Sequence, residues 1–145
     1  MKKKDYIIIK HLRDNARKSI TDISKETQIP VSTIFKKLKD LDKSVVKKYV
    51  AVLNYELTGH HQWNVLFLKI PSNQKKEFEE FLSNHPNINN LYEIISDFNY
   101  KLETVFKNIK EYTDFVELIK EKFEVSDFKD FNIIKDVKRE GFNIN

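Results

Sequence analysis

The sequence predicts an α+β protein in two parts, and three observations carry that prediction. Over residues 1–50, apolar side chains recur at helical spacing and are broken by short polar turns. The same fifty residues hold 14 Lys/Arg against 6 Asp/Glu. From residue 63 onward, strand-length apolar runs and helical runs follow one another in the order β-α-β-β-α-β. The expected divisions are a first domain at 1–54, a linker at 55–62 and a second domain at 63–145.

The first helix is expected from about Lys4 to Asn15, with Ile8, Ile9 and Leu12 on one face. "DNARK" breaks that pattern. A second, short helix starts at Ser19, and Ser19 with Asp22 three residues on resembles a capping box in which Asp replaces the usual Glu. Ile20 and Ile23 give it an apolar side, and it stops near Thr27. Gln28-Ile29-Pro30 is the turn. Pro30, which has no amide hydrogen, suits the first turn of the next helix.

The third helix is expected over Val31 to Asp42, with Ile34, Leu38 and Leu41 on one stripe. Ser32, Lys36 and Lys39 project from the opposite side, with Thr33 and Lys37 on one flank and Phe35 on the other. Hydroxyls near the amino end with lysines behind them suit a major groove, where short hydroxyls reach base edges and long cations reach phosphates. "VVKKYVAVLN" follows and is β-prone, so it reads as the strand or hairpin of a wing carrying Lys47 and Lys48 towards phosphates.

In the second part, "WNVLFLKI" at 63–70 is a strand and Pro71 ends it. A helix with Phe78, Phe81 and Leu82 follows, capped by Ser72 and ended by Pro86. Strands are expected at Ile88–Ser96 and Tyr100–Phe106, joined by the turn "DFN". Ile109, Tyr112, Phe115, Val116 and Ile119 mark the clearest helix of the chain. A last strand is centred on Phe131 to Ile134. This order is the ferredoxin-like one, with two helices on one sheet face and a second copy of the chain expected on the other.

Composition narrows the function classes. With 40% hydrophobic and 12% aromatic residues, the 145-residue chain can bury a core. It has no cysteine, which excludes disulfides, thiolate metal sites and cysteine nucleophiles and fits a reducing cytoplasm. No apolar run approaches the roughly 20 residues of a membrane span, and the three isoleucines of "MKKKDYIIIKHLRD" fall short of a secretory core. Two glycines, Gly59 and Gly141, disfavour a Gly-rich phosphate loop. The net charge of +4 divides into +8 over residues 1–50 and −4 over the rest, so the first part suits a polyanion. The adjacent His60 and His61 point to opposite faces of a strand, and His11 and His85 stand alone, so no catalytic group, metal or cofactor is expected.

Taken together, the chain resembles the Lrp/AsnC (feast/famine) family of transcription regulators over nearly its full length. "ARKSITDIS" is similar to the family's entry into its second helix. "VSTIFKKLKDLDKSVVKKYVAVLN" is similar to its recognition helix and the strand after it, including Tyr49, Ala51, Leu53 and Asn54. "ELTG" matches the stretch leading into the second domain, and "SDFNYKL" stands where the family has Gly-Asp-x-Asp-Tyr.

The resemblance implies an N-terminal winged helix-turn-helix joined to a C-terminal ferredoxin-like, ACT-like α/β sandwich. It implies double-stranded DNA as partner, with contacts from Ser32, Thr33, Lys36, Lys37, Lys39, Lys47 and Lys48. It also implies dimers that assemble into octamers or larger rings, and an amino-acid or other small effector bound around Ser96, Asp97, Phe98 and Asn99. Departures stand at that turn, where Ser96 replaces a glycine and Asn99 an aspartate, and in the third helix, where Pro30 replaces a capping serine and Lys37 a frequent arginine. The expected function is a cytoplasmic, non-enzymatic, sequence-specific regulator. Two alternatives stand beside it: a nucleoid-type architectural protein, and an enzyme of the siroheme decarboxylase type.

Overall fold

Hydrophobic stripes on three helices can be buried only by packing the helices together, and residues 1–52 do so. The computed structural model describes residues 1–144. It forms two compact units: Met1–Val52 together with the segment from Lys138 onward, and Leu53–Val137.

In the first unit, α1 (Lys3–Asp14), α2 (Ile20–Thr27) and α3 (Val31–Ser44) bury Ile8, Ile9, Ile23, Ile29, Ile34 and Leu41 among one another. Ser19 caps α2 as expected: its hydroxyl accepts from the Asp22 amide at 3.0 Å. The reciprocal half differs, because the Asp22 carboxylate accepts from the Ser19 hydroxyl at 2.6 Å rather than from the Ser19 amide. Pro30 is the N-cap of α3, immediately before the expected start at Val31, and its carbonyl accepts from Thr33 and Ile34. From Lys138 the chain packs with this unit, and Ile144 lies against its core. Arg13 holds that segment by donating to the carbonyls of Phe142 at 2.9 Å and Glu140 at 2.7 Å.

The β-prone run after α3 forms no strand. Tyr49, Val50, Val52 and Leu53 remain exposed, since a strand needs a partner ladder and none of the described residues supplies one. Tyr49 instead donates to Asp42 at 2.7 Å, tying the run to the end of α3. Desolvation, then the Asp42 bond, pushes the Tyr49 hydroxyl up to about 12. A 3-10 turn at Glu56–Thr58 ends at Gly59, whose φ of +77° is the left-handed conformation that glycine adopts without a Cβ penalty.

The second unit is a four-stranded antiparallel sheet of β1 (Gln62–Lys69), β2 (Ile88–Glu93), β3 (Tyr100–Phe106) and β4 (Asp127–Asn132), in the order β2-β3-β1-β4. α4 (Lys75–Ser83) and α5 (Ile109–Lys122) cover one face. Strand alternation sends Leu66, Leu68, Tyr100, Leu102 and Phe106 inward to meet Phe78, Leu82, Phe115 and Ile119. Tyr112 on α5 donates to Asp130 on β4 at 2.6 Å.

Some boundaries differ from those expected. Ser72 opens a 3-10 turn and makes no side-chain cap. β2 ends at Glu93 rather than at Ser96, because its ladder with β3 stops at the Glu93↔Tyr100 pair. Ile109 begins α5 but stays exposed, since at about 100° per residue it falls at the edge of the stripe set by Tyr112, Phe115 and Ile119. β4 ends sooner, since its ladder with β1 runs only from Asn64↔Asn132 to Lys69↔Asp127.

The other sheet face is open. Trp63, Val65, Phe67 and Phe131 lie on it, and Phe131 is 57% exposed. Glu103 organises its centre by accepting from Trp63 at 2.7 Å, Asn89 at 3.1 Å and Asn90 at 2.6 Å.

Candidate functional site

The turn between α2 and α3 sets the pose of α3. Gln28 takes the left-handed conformation, φ +57°, and its amide closes α2 on the Ser24 carbonyl. The Ser24 hydroxyl then donates to the Ile29 carbonyl at 2.7 Å, and Ile29 is buried in the core. Thr27 donates to Ile23 at 2.6 Å, so its hydroxyl is used locally. The turn is therefore closed by its own side chains, and Pro30 starts α3 at a set angle.

Ile34 and Leu41 point into the core, and Ser32, Lys36 and Lys39 are exposed on the other side. Among the described residues, Ser32 and Lys36 make no side-chain hydrogen bond or ion pair, so both are available to a partner. Lys39 lies 4.4 Å over the Phe35 ring. Thr33 is half-buried on the flank. Lys47 and Lys48 are exposed on the segment held by Tyr49.

Lys37 is placed differently from its neighbours. Its ammonium is bonded to the Asp5 carboxylate of α1, and the two side chains are 21% and 15% exposed. It can meet a phosphate only by giving up that bond. That Lys37 bond, then the Lys2 amide at 2.6 Å, holds the Asp5 carboxyl below its ordinary range. Nothing in the spacing of Asp5 and Lys37 reveals this pair, because only the packing of α1 on α3 brings them together.

In the second unit, Ser96, Asp97, Phe98 and Asn99 lie together in the turn between β2 and β3. The Ser96 hydroxyl accepts from the Phe98 amide at 3.0 Å and donates to the Phe98 carbonyl at 3.1 Å. Ser96 has no positive φ, so the backbone here does not need glycine. Phe98 packs on Phe67 with ring centres 5.9 Å apart, and Lys129 lies over it at 5.7 Å.

Asn99 is a structural brace. Its side-chain oxygen accepts from the Ile70 amide at 2.9 Å and its nitrogen donates to the Ile70 carbonyl at 2.6 Å. An aspartate could not make the second bond, which is the physical reason for an amide at this position. Asp97 alone of the four keeps an exposed side chain free of hydrogen bonds and ion pairs among the described residues. Next to the brace, Lys69, Ile70, Pro71, Glu124, Val125 and Ser126 line an open cavity of about 250 Å³.

Comparison with known proteins accounts for both units. A sequence profile described as Lrp/AsnC ligand binding domain matches residues 65–141, and one described as winged helix-turn-helix DNA-binding matches residues 1–44. The HTH-type transcriptional regulator FL11 of Pyrococcus horikoshii is 29% identical over 116 residues, 79% of this chain and 77% of that protein. Solved structures share the fold. The leucine response regulatory protein LrpA of Mycobacterium tuberculosis superposes with a TM-score of 0.87 at 16% identity, covering 100% of both chains. A transcriptional regulator from Neisseria meningitidis, in complex with L-Met, superposes with a TM-score of 0.85 at 20% identity, covering 96% of this chain and 93% of that one.

Proposed function

The chain belongs to the Lrp/AsnC family of DNA-binding transcriptional regulators, and from that premise we propose how its residues perform the regulation. The observation that carries the reading is the exposed face of α3. Ser32 and Lys36 stand there free of internal partners among the described residues, opposite the buried Ile34 and Leu41. α3 enters the major groove amino end first. Ser32 and Thr33 reach base edges, and Lys36, Lys39, Lys47 and Lys48 meet phosphates. Lys37 holds α1 against α3, and joins the phosphate contacts only by releasing Asp5.

The first unit is the DNA-binding domain, and the second is the effector-binding and oligomerisation domain. The open sheet face, which carries Phe67 and the edge-strand Phe131, is covered by a second copy. The dimer sets two α3 helices about one helical turn of DNA apart, and dimers build to octamers. An amino acid is the effector. The regulator named above that carries L-Met shares this fold, and the exposed carboxylate of Asp97 is the group we assign to an effector's ammonium. Ser96 and Asn99 shape that turn. The protein acts as a regulator and not as an enzyme, and works in the cytoplasm beside the DNA it controls.

Selection of bound genomic fragments, repeated with an amino-acid mixture, tests the whole reading. The expected result is a small set of related fragments whose recovery changes with the mixture. Recovery of fragments with no shared sequence would mark an architectural protein instead.

A further inference from the structure

Phe35 sits where a residue of the packing stripe would not. At about 100° per residue, Ile34 and Leu41 define the buried side of α3, and Ser32, Lys36 and Lys39 its opposite. Phe35 falls between Val31 and Lys39 on the edge of that outer face. It is 50% exposed and Val31, one turn before it, is 46% exposed. Neither belongs to the core of the first unit. α3 therefore presents an apolar ridge, Val31 and Phe35, beside its hydroxyl and its lysines.

The Lys39 ammonium stands 4.4 Å from the ring centre, within the range of a cation–π contact. An exposed aromatic edge beside cations is a poor protein core but suits a groove. In the major groove, the one apolar feature that a base pair offers is the C5-methyl of thymine. The exposed Lys36 and Lys39, both on the hydroxyl side of the ring, complement the phosphates that border the groove.

We infer that Phe35 is a specificity-determining residue that reads a thymine methyl in each half-site. The inference rests on α3 being the helix that enters the groove. Serine contacts tolerate more than one base and lysine contacts to phosphates carry no base information, whereas an apolar ring distinguishes thymine from cytosine at the same place. Val31 extends the ridge towards the amino end and widens the apolar contact.

Replacing single thymines by deoxyuridine in a selected site removes one methyl and leaves base pairing intact. The full-length protein is expected to lose about fourfold in affinity for each thymine methyl that Phe35 contacts. Phe35→Ala should bind thymine and deoxyuridine at that position equally, while keeping its salt dependence. Phe35→Leu, which retains an apolar side chain, should keep part of the discrimination and guards against a simple folding defect. Equal binding of both bases by the unaltered protein at every position would overturn the inference, as would a full methyl effect surviving in Phe35→Ala. If the protein binds DNA with a steep salt dependence yet shows no methyl effect, only the role of Phe35 fails. If it binds no DNA, the placement of α3 fails with it.

Discussion

Lys37 on α3 and Asp5 on α1 form an ion pair across 32 residues of sequence, with both side chains largely withdrawn from water. Lys36, the next residue before it, faces solvent with no partner among the described residues. Two adjacent lysines of one helix thus have different work. Lys36→Ala should reduce the slope of log affinity against log salt by about 0.9 for each phosphate it no longer neutralises, and leave the unfolding midpoint near its original value. Lys37→Ala should do the reverse, leaving the partly buried Asp5 carboxylate uncompensated and lowering the midpoint by several degrees. Binding isotherms at several salt concentrations, set beside thermal melts, separate the two. Equal salt slopes for both variants would remove the distinction.

The two units should lose stability in different acid ranges. His85 in the second unit packs among Phe81, Phe106 and Phe115, and burial pushes its imidazole below the ordinary 6.5. The unfolded chain therefore binds the proton more readily. The stabilisation is complete above about pH 6.5 and is lost as pH falls towards the folded value. Asp5 in the first unit is also lowered, by the Lys37 bond first, from 3.8. Its contribution is complete above that ordinary value and is lost only as pH falls further. Urea unfolding followed by Trp63 fluorescence and by far-UV dichroism between pH 3 and 7 should show the first loss for the sheet unit. His85→Phe should flatten the limb below about pH 6.5 and Asp5→Asn the limb below about pH 4.

The brace at Asn99 makes a separate forecast for the turn. Asn99→Asp removes the donor to the Ile70 carbonyl and sets a carboxylate against it, which should cost about 1–3 kcal/mol. Ser96→Gly loses the two bonds to Phe98 and costs less, since they are exposed. Asp97→Asn should leave the melting curve unchanged while abolishing any calorimetric response to amino acids. A stable Asn99→Asp variant would mean that the turn is held by other contacts.

How far these features are legible in the sequence depends on whether they are local. The stripes Ile34–Leu41 and Tyr112–Phe115–Ile119 are read directly from spacing, because a helix face is set by residues within a few turns. The alternation of Tyr100–Phe106 is equally visible. The run from Val45 to Leu53 has strand composition, yet strand formation requires a ladder and composition does not reveal whether one is present. Asn99 on Ile70, Lys37 on Asp5 and Arg13 on Glu140 are pairings between distant residues with no periodic signal. The turn at Asp97, Phe98 and Asn99 is visible in its polar composition, while the inward commitment of Asn99 is a property of the packed sheet.

Gln28 offers a gain rather than a loss. Its φ of +57° is a left-handed cap of α2, where a Cβ meets the following carbonyl. Its side chain makes no hydrogen bond among the described residues. Gln28→Gly should therefore stabilise the first unit by about 1 kcal/mol, and should raise its melting midpoint without altering the selected DNA sequence. A fall in the midpoint would show that the wider freedom of glycine in the unfolded chain outweighs the relieved strain.

Arg13 provides the sharpest test of the C-terminal segment. Its guanidinium donates to the Phe142 and Glu140 carbonyls and pairs with the Glu140 carboxylate at 3.4 Å, while Glu140 holds a φ of +52° to present them. The two carbonyls are met by separate nitrogens of one planar fork, a fixed spacing that a single ammonium on a flexible stem does not reproduce, so Arg13→Lys should recover little of what Arg13→Ala loses. If Arg13 acts through this segment, removing residues 138–145, which also removes the packing of Ile144, should cost more than Arg13→Ala, and the two changes combined should cost little more than the truncation alone. Additive losses would mean that Arg13 stabilises α1 by itself.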